Sequence, residues 1–170
     1  MIGDRWGVTE DDVARHYSCD DLVPAPVLQV WRGVTVHAGA DAVWPWVTQI
    51  RLAPYSYDWI DNRGRHSPQQ LRGLSEPSPG EHFTTVGGTR PLGRILTVDP
   101  GVQLTGRIAG AVMSYALVPA AESTRLLLKV VFARCRYSAR LLCVGDLVMA
   151  RRQLLNLKRL AEQSSAQPRL

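Results

Sequence analysis

The chain has few cysteines and no long apolar run. Its 170 residues include three cysteines, Cys19, Cys135 and Cys143, and no CxxC pair. This odd, unpaired pattern argues against a disulfide framework and a structural zinc site, and it favours a reducing compartment. No segment approaches the roughly 20 apolar residues of a membrane-spanning helix, and residues 1–10 lack the apolar core of a signal peptide. We therefore expect a cytoplasmic protein with no integral membrane association.

Motifs for metal, hydrolase and phosphate chemistry are also missing. His37, His66 and His82 are not spaced as ligands on one element, and neither HxH nor HExxH occurs. The sequence contains no GxSxG motif and no phosphate-binding loop. We predict no metal and no cofactor. A nucleophile with its base cannot be identified from spacing alone, so whether the protein is an enzyme stays open at this point.

The basic charge does not form a nucleic-acid motif. The formal net charge is +5, but most arginines stand singly, and no aromatic residues are interleaved with them as in single-strand binding proteins. Solvated faces of a strand and a helix explain this charge better, so we expect no nucleic-acid partner. A basic helix face that binds a protein partner or an anionic membrane remains an alternative.

The order of local patterns predicts one α+β domain. Residues 27–37 alternate as a half-buried strand, and residues 41–50 and 55–62 read as two short helices, the first containing Pro45. Later strands are predicted over residues 81–86, 93–98, 102–108, 111–118 and 123–137. In the last strand, Arg125, Leu127, Lys129 and Val131 make a face that we expect to be half exposed to water. We predict a curved antiparallel sheet of about six to seven strands wrapped around a long C-terminal helix, with the two short helices between the first and second strands.

The chain outside this domain is short. Thr9 followed by three acidic residues predicts a helix start, with the helix reaching about Tyr17 and a connector over residues 20–26. We assign residues 1–25 to an N-terminal segment that packs on the domain, residues 26–163 to the domain, and residues 164–170 to a disordered tail.

The last long segment, residues 138–163, has no proline and one glycine, and it predicts a helix. At about 100° per residue, its apolar face is centred on Leu157. The other apolar members are Leu142, Cys143, Leu147, Met149, Ala150, Leu154, Leu160 and Ala161. Asp146 and Gln153 also fall on this face. An apolar helix face that includes a carboxylate and an amide indicates a cavity lined by this face rather than a fully packed core.

Four segments resemble one known superfamily. They are residues 34–50 (VTVHAGADAVWPWVTQI), 55–62 (YSYDWIDN), 95–104 (ILTVDPGVQL) and 145–162 (GDLVMARRQLLNLKRLAE). They are similar to the START-like, pollen-allergen-like SRPBCC superfamily, and within it to the polyketide cyclase/dehydrase and lipid-transport-like subset. The resemblance implies the helix-grip fold and a cavity for a hydrophobic small molecule. It does not imply one reaction, because the superfamily spans carriers, receptors and enzymes.

These observations define candidate site residues, which we expect to line the cavity. They are Tyr55, Tyr57, Trp59, Tyr115, Leu142, Asp146, Met149 and Gln153. Asp146 could instead form a structural hydrogen bond with Arg94, Arg107 or a loop amide, and the tyrosines could be packing residues. Three functions stay open: binding of a small hydrophobic ligand such as a lipid or polyketide-like molecule, cyclase or dehydratase chemistry in the same cavity, and an interaction protein with a collapsed cavity.

A second apolar stripe leaves the oligomeric state open. Leu141, Val144, Val148 and Leu155 recur at near-heptad spacing on the far side of the last helix. Cover by Trp6, Val13 and Leu22 of the N-terminal segment would make the protein a monomer. The alternative is a homodimer interface.

Overall fold

A six-stranded sheet lies at the centre of the molecule, in the order β1-β2-β8-β7-β6-β5. The computed structural model describes residues 4–133 and 139–166, with the backbone alone for 60, 61 and 139–148. The strands are β1 (Arg5–Trp6), β2 (Leu28–Val36), β3 (Thr84–Val86), β4 (Arg90–Leu92), β5 (Arg94–Asp99), β6 (Gln103–Ile108), β7 (Ala111–Pro119) and β8 (Thr124–Phe132). The helices are α1 (Glu10–Ala14), α2 (Ser18–Leu22), α3 (Ala40–Thr48), a 3-10 turn (Gln49–Arg51), α4 (Asp58–Asp61) and α5 (Ala139–Ala166).

This architecture is the predicted α+β helix-grip fold, with two differences in the strands. The sheet is mixed rather than purely antiparallel, because β1 pairs in parallel with β2. The strand predicted over residues 81–86 is shorter and forms a separate hairpin of β3 and β4. Gly80 and Glu81 instead exchange backbone hydrogen bonds with Ile95, which ties the chain just before this hairpin to β5.

The long helix α5 packs against one face of the sheet, which we call the helix face. As the helical periodicity predicted, the apolar face is buried there, with Leu154, Leu157, Leu160 and Ala161. The side chains of Leu142, Cys143 and Leu147 lie outside the described residues. Burial of this apolar face against α3 and β2 is what holds the helix in place.

The helix α5 continues to Ala166, past the predicted end at residue 163. Ser164 and Ser165 donate hydroxyl hydrogen bonds to the carbonyls of Leu160 and Ala161, one turn earlier. The Trp46 indole also donates to Ser164 Oγ at 3.2 Å, so a partly buried contact with α3 holds this last turn. Residues 167–170 of the predicted tail lie outside the described residues.

The N-terminal segment covers the opposite face of the sheet, which we call the far face. Tyr17, Cys19 and Val23 pack against Val112, Ala116, Leu127 and Val131 of β7 and β8. The expectation of a half-exposed face on β8 is therefore wrong. The single predicted N-terminal helix is two short helices, α1 and α2, because the backbone is extended at Arg15 and Tyr17 between them.

Two ion pairs fasten this segment to β8. The Lys129 ammonium lies 2.5 Å from Asp20 Oδ1, and the Arg125 guanidinium lies 2.5 Å from Asp12 Oδ2. Lys129 also lies 5.4 Å and 5.1 Å from the ring centroids of Tyr17 and Trp31. Charged side chains of β8 therefore reach partners on the N-terminal segment instead of water.

The second apolar stripe of α5 is only partly described. Leu155 is 37 % exposed, and the side chains of Leu141, Val144 and Val148 lie outside the described residues. Trp6 approaches α5, since the Arg151 guanidinium lies 4.9 Å from its ring centroid. Leu22 does not cover the stripe, because α2 packs on the far face and leaves Leu22 40 % exposed.

Acid is expected to weaken the N-terminal attachment through Asp12. Burial raises the pKa of this carboxyl, but hydrogen bonds from the Thr9 backbone and from Arg125 outweigh burial and hold its pKa below the ordinary 3.8. A lowered folded-state pKa stabilises the fold above the unfolded-state pKa, and this stabilisation is lost as the pH falls through the folded-state value. We expect Asp12→Asn to lower the free energy of unfolding by about 1.5 kcal/mol at pH 7. In urea titrations the difference from wild type should shrink below about pH 4; a difference that does not change with pH would contradict this role.

Candidate ligand-binding site

A cavity of about 210 Å³ that is open to solvent on one side, which we call the inner cavity, lies between α5 and the helix face of the sheet. The alternation of β7 and β8 builds its floor, because Met113 pairs with Val130 and Tyr115 pairs with Leu128, so all four side chains share one face. The complete lining is Ile50, Pro54, Ser56, Phe83, Thr84, Val86, Leu92, Ile108, Met113, Tyr115, Leu128, Val130, Met149, Ala150 and Gln153. Most of these side chains are apolar, so the cavity suits an apolar molecule.

A glycine in β6 shapes one wall of the cavity. A Cβ atom at Gly106 would lie 2.1 Å from the Phe83 ring, so only glycine lets that ring contact the strand. The Phe83 ring centroid lies 6.2 Å from that of Tyr115. Phe83 precedes the β3–β4 hairpin. The close approach therefore makes its ring part of the cavity wall that the central strands also form.

A short chain of hydrogen bonds crosses the polar end of the cavity. Tyr115 Oη donates to Gln153 Oε1 at 2.5 Å, and Gln153 Nε2 donates to the Pro54 carbonyl at 2.5 Å. One turn further along α5, Asn156 Nδ2 donates to the Tyr55 carbonyl at 2.8 Å. Two amides on one face of α5 thus hold the loop of residues 54–56 against the helix.

A second space, the surface pocket, lies on the other side of this loop and measures about 310 Å³. Its lining is Tyr55, Ser56, Tyr57, Asp58, Trp59, Gly64, His66, Ser67, Gln69, Arg152, Asn156 and Arg159. Ser56 is the residue that lines both spaces. The loop of residues 54–56 is therefore a partition between an apolar interior and a polar pocket at the surface.

Tyr55 is a buried structural residue of this partition. Its hydroxyl accepts a hydrogen bond from Gln49 Nε2 at 2.7 Å, and its ring stands edge-on to Trp46 with centroids 6.3 Å apart. The backbone of Tyr55 has a φ of 57°, in the left-handed region that non-glycine residues rarely adopt. Burial raises the pKa of Tyr55 to about 12, so the hydroxyl stays protonated at neutral pH.

The charged groups of the surface pocket do not form a nucleophilic triad. Ser67 donates its hydroxyl to Asp58 Oδ1 at 2.6 Å, and its backbone N–H donates to Asp58 Oδ2 at 3.0 Å. His66 Nδ1 lies 3.6 Å from Asp58 Oδ2. A nucleophilic serine needs its hydroxyl directed at a base such as histidine, and here it is directed at the carboxylate. Asp58 instead fastens the loop that carries Ser67.

The structure divides the predicted site residues between these two spaces. Tyr115, Met149 and Gln153 line the inner cavity. Tyr55, Tyr57 and Trp59 line the surface pocket, with Trp59 75 % exposed. The side chains of Leu142 and Asp146 lie outside the described residues, although both positions belong to α5.

The arginine partners considered for Asp146 are on the wrong side of the sheet. Arg107 pairs directly with Val112, and Arg94 pairs with Arg107, so all three side chains share the far face. Gln103 and Thr105 share it too, since Gln103 accepts from Ser18 N–H and Thr105 bonds to the Ser114 hydroxyl. The N-terminal segment therefore covers Gln103 and Thr105, Arg94 and Arg107 stay exposed on the same far face, and none of the four lines the cavity.

Sequence reasoning missed three polar residues that α5 contributes to the surface pocket. Asn156 follows Gln153 by three positions on α5, a spacing that places both on one face and that could have revealed it. Arg152 and Arg159 fall outside the apolar face of the predicted helix, where the pattern predicts solvated charges. The signal for them was weak, since the pocket they line is completed by residues 55–69, far away in the chain.

Solved structures of other proteins share this fold. Protein NE0264 from Nitrosomonas europaea matches with a TM-score of 0.57 at 16 % identity, over 80 % of this chain and 95 % of that chain. Protein MLL2253 from Mesorhizobium loti matches with a TM-score of 0.54 at 16 % identity, over 80 % and 98 %. The AHSA1-like protein from Aeromonas hydrophila matches with a TM-score of 0.51 at 14 % identity, over 84 % and 98 %.

The shared fold is of the helix-grip type, which confirms the fold expected from the sequence. No protein-family model matches the chain, and no curated protein matches it. Among the helices in the described residues, none is long and apolar enough to cross a bilayer.

Proposed function

We propose that the protein binds a small, largely apolar molecule in the inner cavity between the sheet and α5. The observation that carries this proposal is the cavity itself: about 210 Å³, walled mainly by apolar side chains of β6–β8, the β3–β4 hairpin and α5. Burial of apolar ligand surface provides about 25 cal/mol per Å² of driving force. The few polar groups at one end then orient the ligand.

Gln153 and Tyr115 are the orienting groups in this proposal. Their side chains are joined at 2.5 Å at the polar end of the cavity, where a ligand hydroxyl or carbonyl could replace one of their present partners. Met149 belongs to the apolar wall on the same helix. Asp146 and Leu142 stay in the proposed site on the sequence pattern alone, because they precede Gln153 by seven and eleven residues on the predicted apolar face.

The described lining favours binding over acid–base catalysis, for which Asp146 would have to supply the second titratable group. Tyr115 is the one titratable side chain among the described residues that line the inner cavity, and its hydroxyl is engaged with an amide. Proton transfer in a cyclase or dehydratase requires an acid and a base whose environments separate their pKa values. The described lining lacks such a pair.

Filling the cavity tests the proposal. Ala150 is buried, lines the inner cavity and has no polar side-chain atom to lose. We expect Ala150→Phe to reduce the affinity for the neutral, apolar probe N-phenyl-1-naphthylamine at least tenfold, measured by its fluorescence. Overpacking should lower the free energy of unfolding by no more than about 3 kcal/mol.

The matched control is Leu155→Phe, which adds an aromatic ring to the same helix at a position that is 37 % exposed and outside the cavity. Its probe affinity should equal that of wild type. A wild-type protein that binds neither this probe nor decan-1-ol would refute the proposed function, as would equal probe binding by Ala150→Phe and wild type.

A further inference from the structure

We propose that the ligand is an anionic amphiphile, whose carboxylate binds in the surface pocket while its apolar body occupies the inner cavity. This inference rests on the proposed function and names the class of its ligand. It follows from three features: the uncompensated positive charge of the surface pocket, the thin partition between the two spaces, and the small size of the inner cavity.

The positive charge comes from two arginines on one face of α5. Arg152 and Arg159 are seven residues apart, so they lie on the same side of the helix, about 10 Å apart along its axis. Arg159 donates to the side-chain oxygens of Gln69 and Gln163, which are neutral, and Arg152 lies 5.8 Å from the Tyr57 ring centroid. Among the side chains that the structure describes, neither arginine has a carboxylate within ion-pair distance.

Among the described residues that line the pocket, Asp58 is the one carboxylate, and its oxygens already have partners. Asp58 accepts two hydrogen bonds from Ser67 and faces His66 at 3.6 Å, on the side of the pocket formed by the loop. The pocket therefore keeps a net positive charge on its helix side. Guanidinium groups bind carboxylates with two parallel hydrogen bonds, which makes them well suited to a ligand of this charge.

The partition between the spaces is one loop thick. Ser56 lines the inner cavity and the surface pocket, and the loop around it is held to α5 through the Pro54 and Tyr55 carbonyls. Those two contacts come from the amides of Gln153 and Asn156. A molecule whose body lies in the inner cavity can therefore place its polar end in the surface pocket once this loop moves aside, which requires release of the contacts from Gln153 and Asn156 to the Pro54 and Tyr55 carbonyls.

The sizes of the two spaces favour a ligand that uses both. The inner cavity, at about 210 Å³, is smaller than the roughly 300–1,000 Å³ of most ligand sites. The surface pocket adds about 310 Å³ and carries the exposed Trp59 ring at its edge. A purely apolar ligand would gain little from this polar pocket, whereas a ligand with an anionic head group gains from both spaces.

The experiment compares two ligands that differ only in the head group. Decanoate and decan-1-ol compete with N-phenyl-1-naphthylamine at pH 7 and low salt, on wild type and on two double variants. The pocket variant is Arg152→Gln with Arg159→Gln. The control is Arg94→Gln with Arg107→Gln, which changes the net charge equally but at exposed positions on the far face. We expect wild type and control to bind decanoate at least tenfold more tightly than decan-1-ol, and the pocket variant to lose that preference while it binds decan-1-ol normally.

Other outcomes overturn the inference and separate it from the proposed function. Equal affinities of wild type for decanoate and decan-1-ol would refute the anionic head group and leave ligand binding intact. Equal losses in the pocket and control variants would also refute it, because the effect would then come from net charge alone. Sedimentation with phosphatidylglycerol vesicles that depends on Arg152 and Arg159, without any preference for decanoate, would assign these arginines to a membrane surface instead. If neither compound binds, the proposed function fails as well.

Discussion

Replacement of Asp20 with alanine is expected to lower the free energy of unfolding by about 3 kcal/mol at neutral pH. The partner of Asp20 is Lys129 in the central strand β8, whose side chain is only 6 % exposed and whose ammonium lies 2.5 Å from Asp20 Oδ1. Removing the carboxylate leaves this charge inside the molecule without its ion-pair partner, close to the rings of Tyr17 and Trp31. Guanidinium chloride unfolding of the variant and of wild type measures the loss.

The double variant Asp20→Ala with Lys129→Met distinguishes two contributions to the free energy of unfolding. One is the destabilisation by an unpaired buried charge, and the other is the stabilisation by the ion pair itself. Methionine keeps much of the length of lysine without its charge, so we expect the double variant to recover most of the stability lost in Asp20→Ala. The coupling energy from the complete cycle, with Lys129→Met as the second single variant, should exceed about 1 kcal/mol. A double variant as unstable as Asp20→Ala would show that the loss comes from the missing acceptor of the Tyr17 backbone N–H, which Asp20 Oδ2 provides at the start of α2, rather than from the charge.

The second large effect is expected at Gln153, which joins the sheet to the partition loop. Gln153→Leu removes the acceptor of the Tyr115 hydroxyl and the donor to the Pro54 carbonyl, so we expect the free energy of unfolding to fall by about 2 kcal/mol. The loop should also open more often. Hydrogen exchange of backbone amides over residues 55–58, followed by mass spectrometry, should speed up at least tenfold relative to wild type.

Gln153→Glu is the informative companion, because a carboxylate still accepts from Tyr115 but cannot donate to Pro54. It should show faster amide hydrogen exchange in the partition loop, while the hydrogen bond from Tyr115 to residue 153 is retained. Tyr115→Phe removes the opposite contact and should leave exchange in the loop near the wild-type rate. If all three variants exchange at the wild-type rate, Gln153 does not hold the partition, and Asn156 would be the remaining candidate.

Much of the fold could be predicted because the spacing of apolar residues along the chain indicates which segments are strands or helices and which of their faces are buried. The helix face of β8 and the apolar face of α5 follow directly from spacings of two and of three to four residues. The strand β1 could not be predicted, because two residues, Arg5 and Trp6, carry no periodicity, and they pair with Trp31 and Arg32 far along the chain. The far face of β8 was misjudged for the same reason, since the partners of Arg125 and Lys129 are more than 100 residues away.

The candidate site was predicted only in part. Gln153 stood out because a lone amide in an apolar helix face needs an explanation, and the structure gives it two partners. The separation of the site into a cavity and a surface pocket depends on where the loop of residues 54–56 crosses α5, and no local pattern encodes that crossing. Register was equally decisive, because it alone determines that Tyr115 faces the cavity while Gln103 and Thr105 face away.

The position of the N-terminal segment has a consequence for the order in which the protein assembles during translation. Tyr17 and Val23 are made first, but the surface they cover comes from β7 and β8, roughly a hundred residues later. At about 5–20 residues per second, the ribosome takes on the order of 5–20 s to supply that surface. Throughout this interval the nascent chain displays apolar side chains that chaperones can recognise, and the segment synthesised first can dock only once β8 has paired.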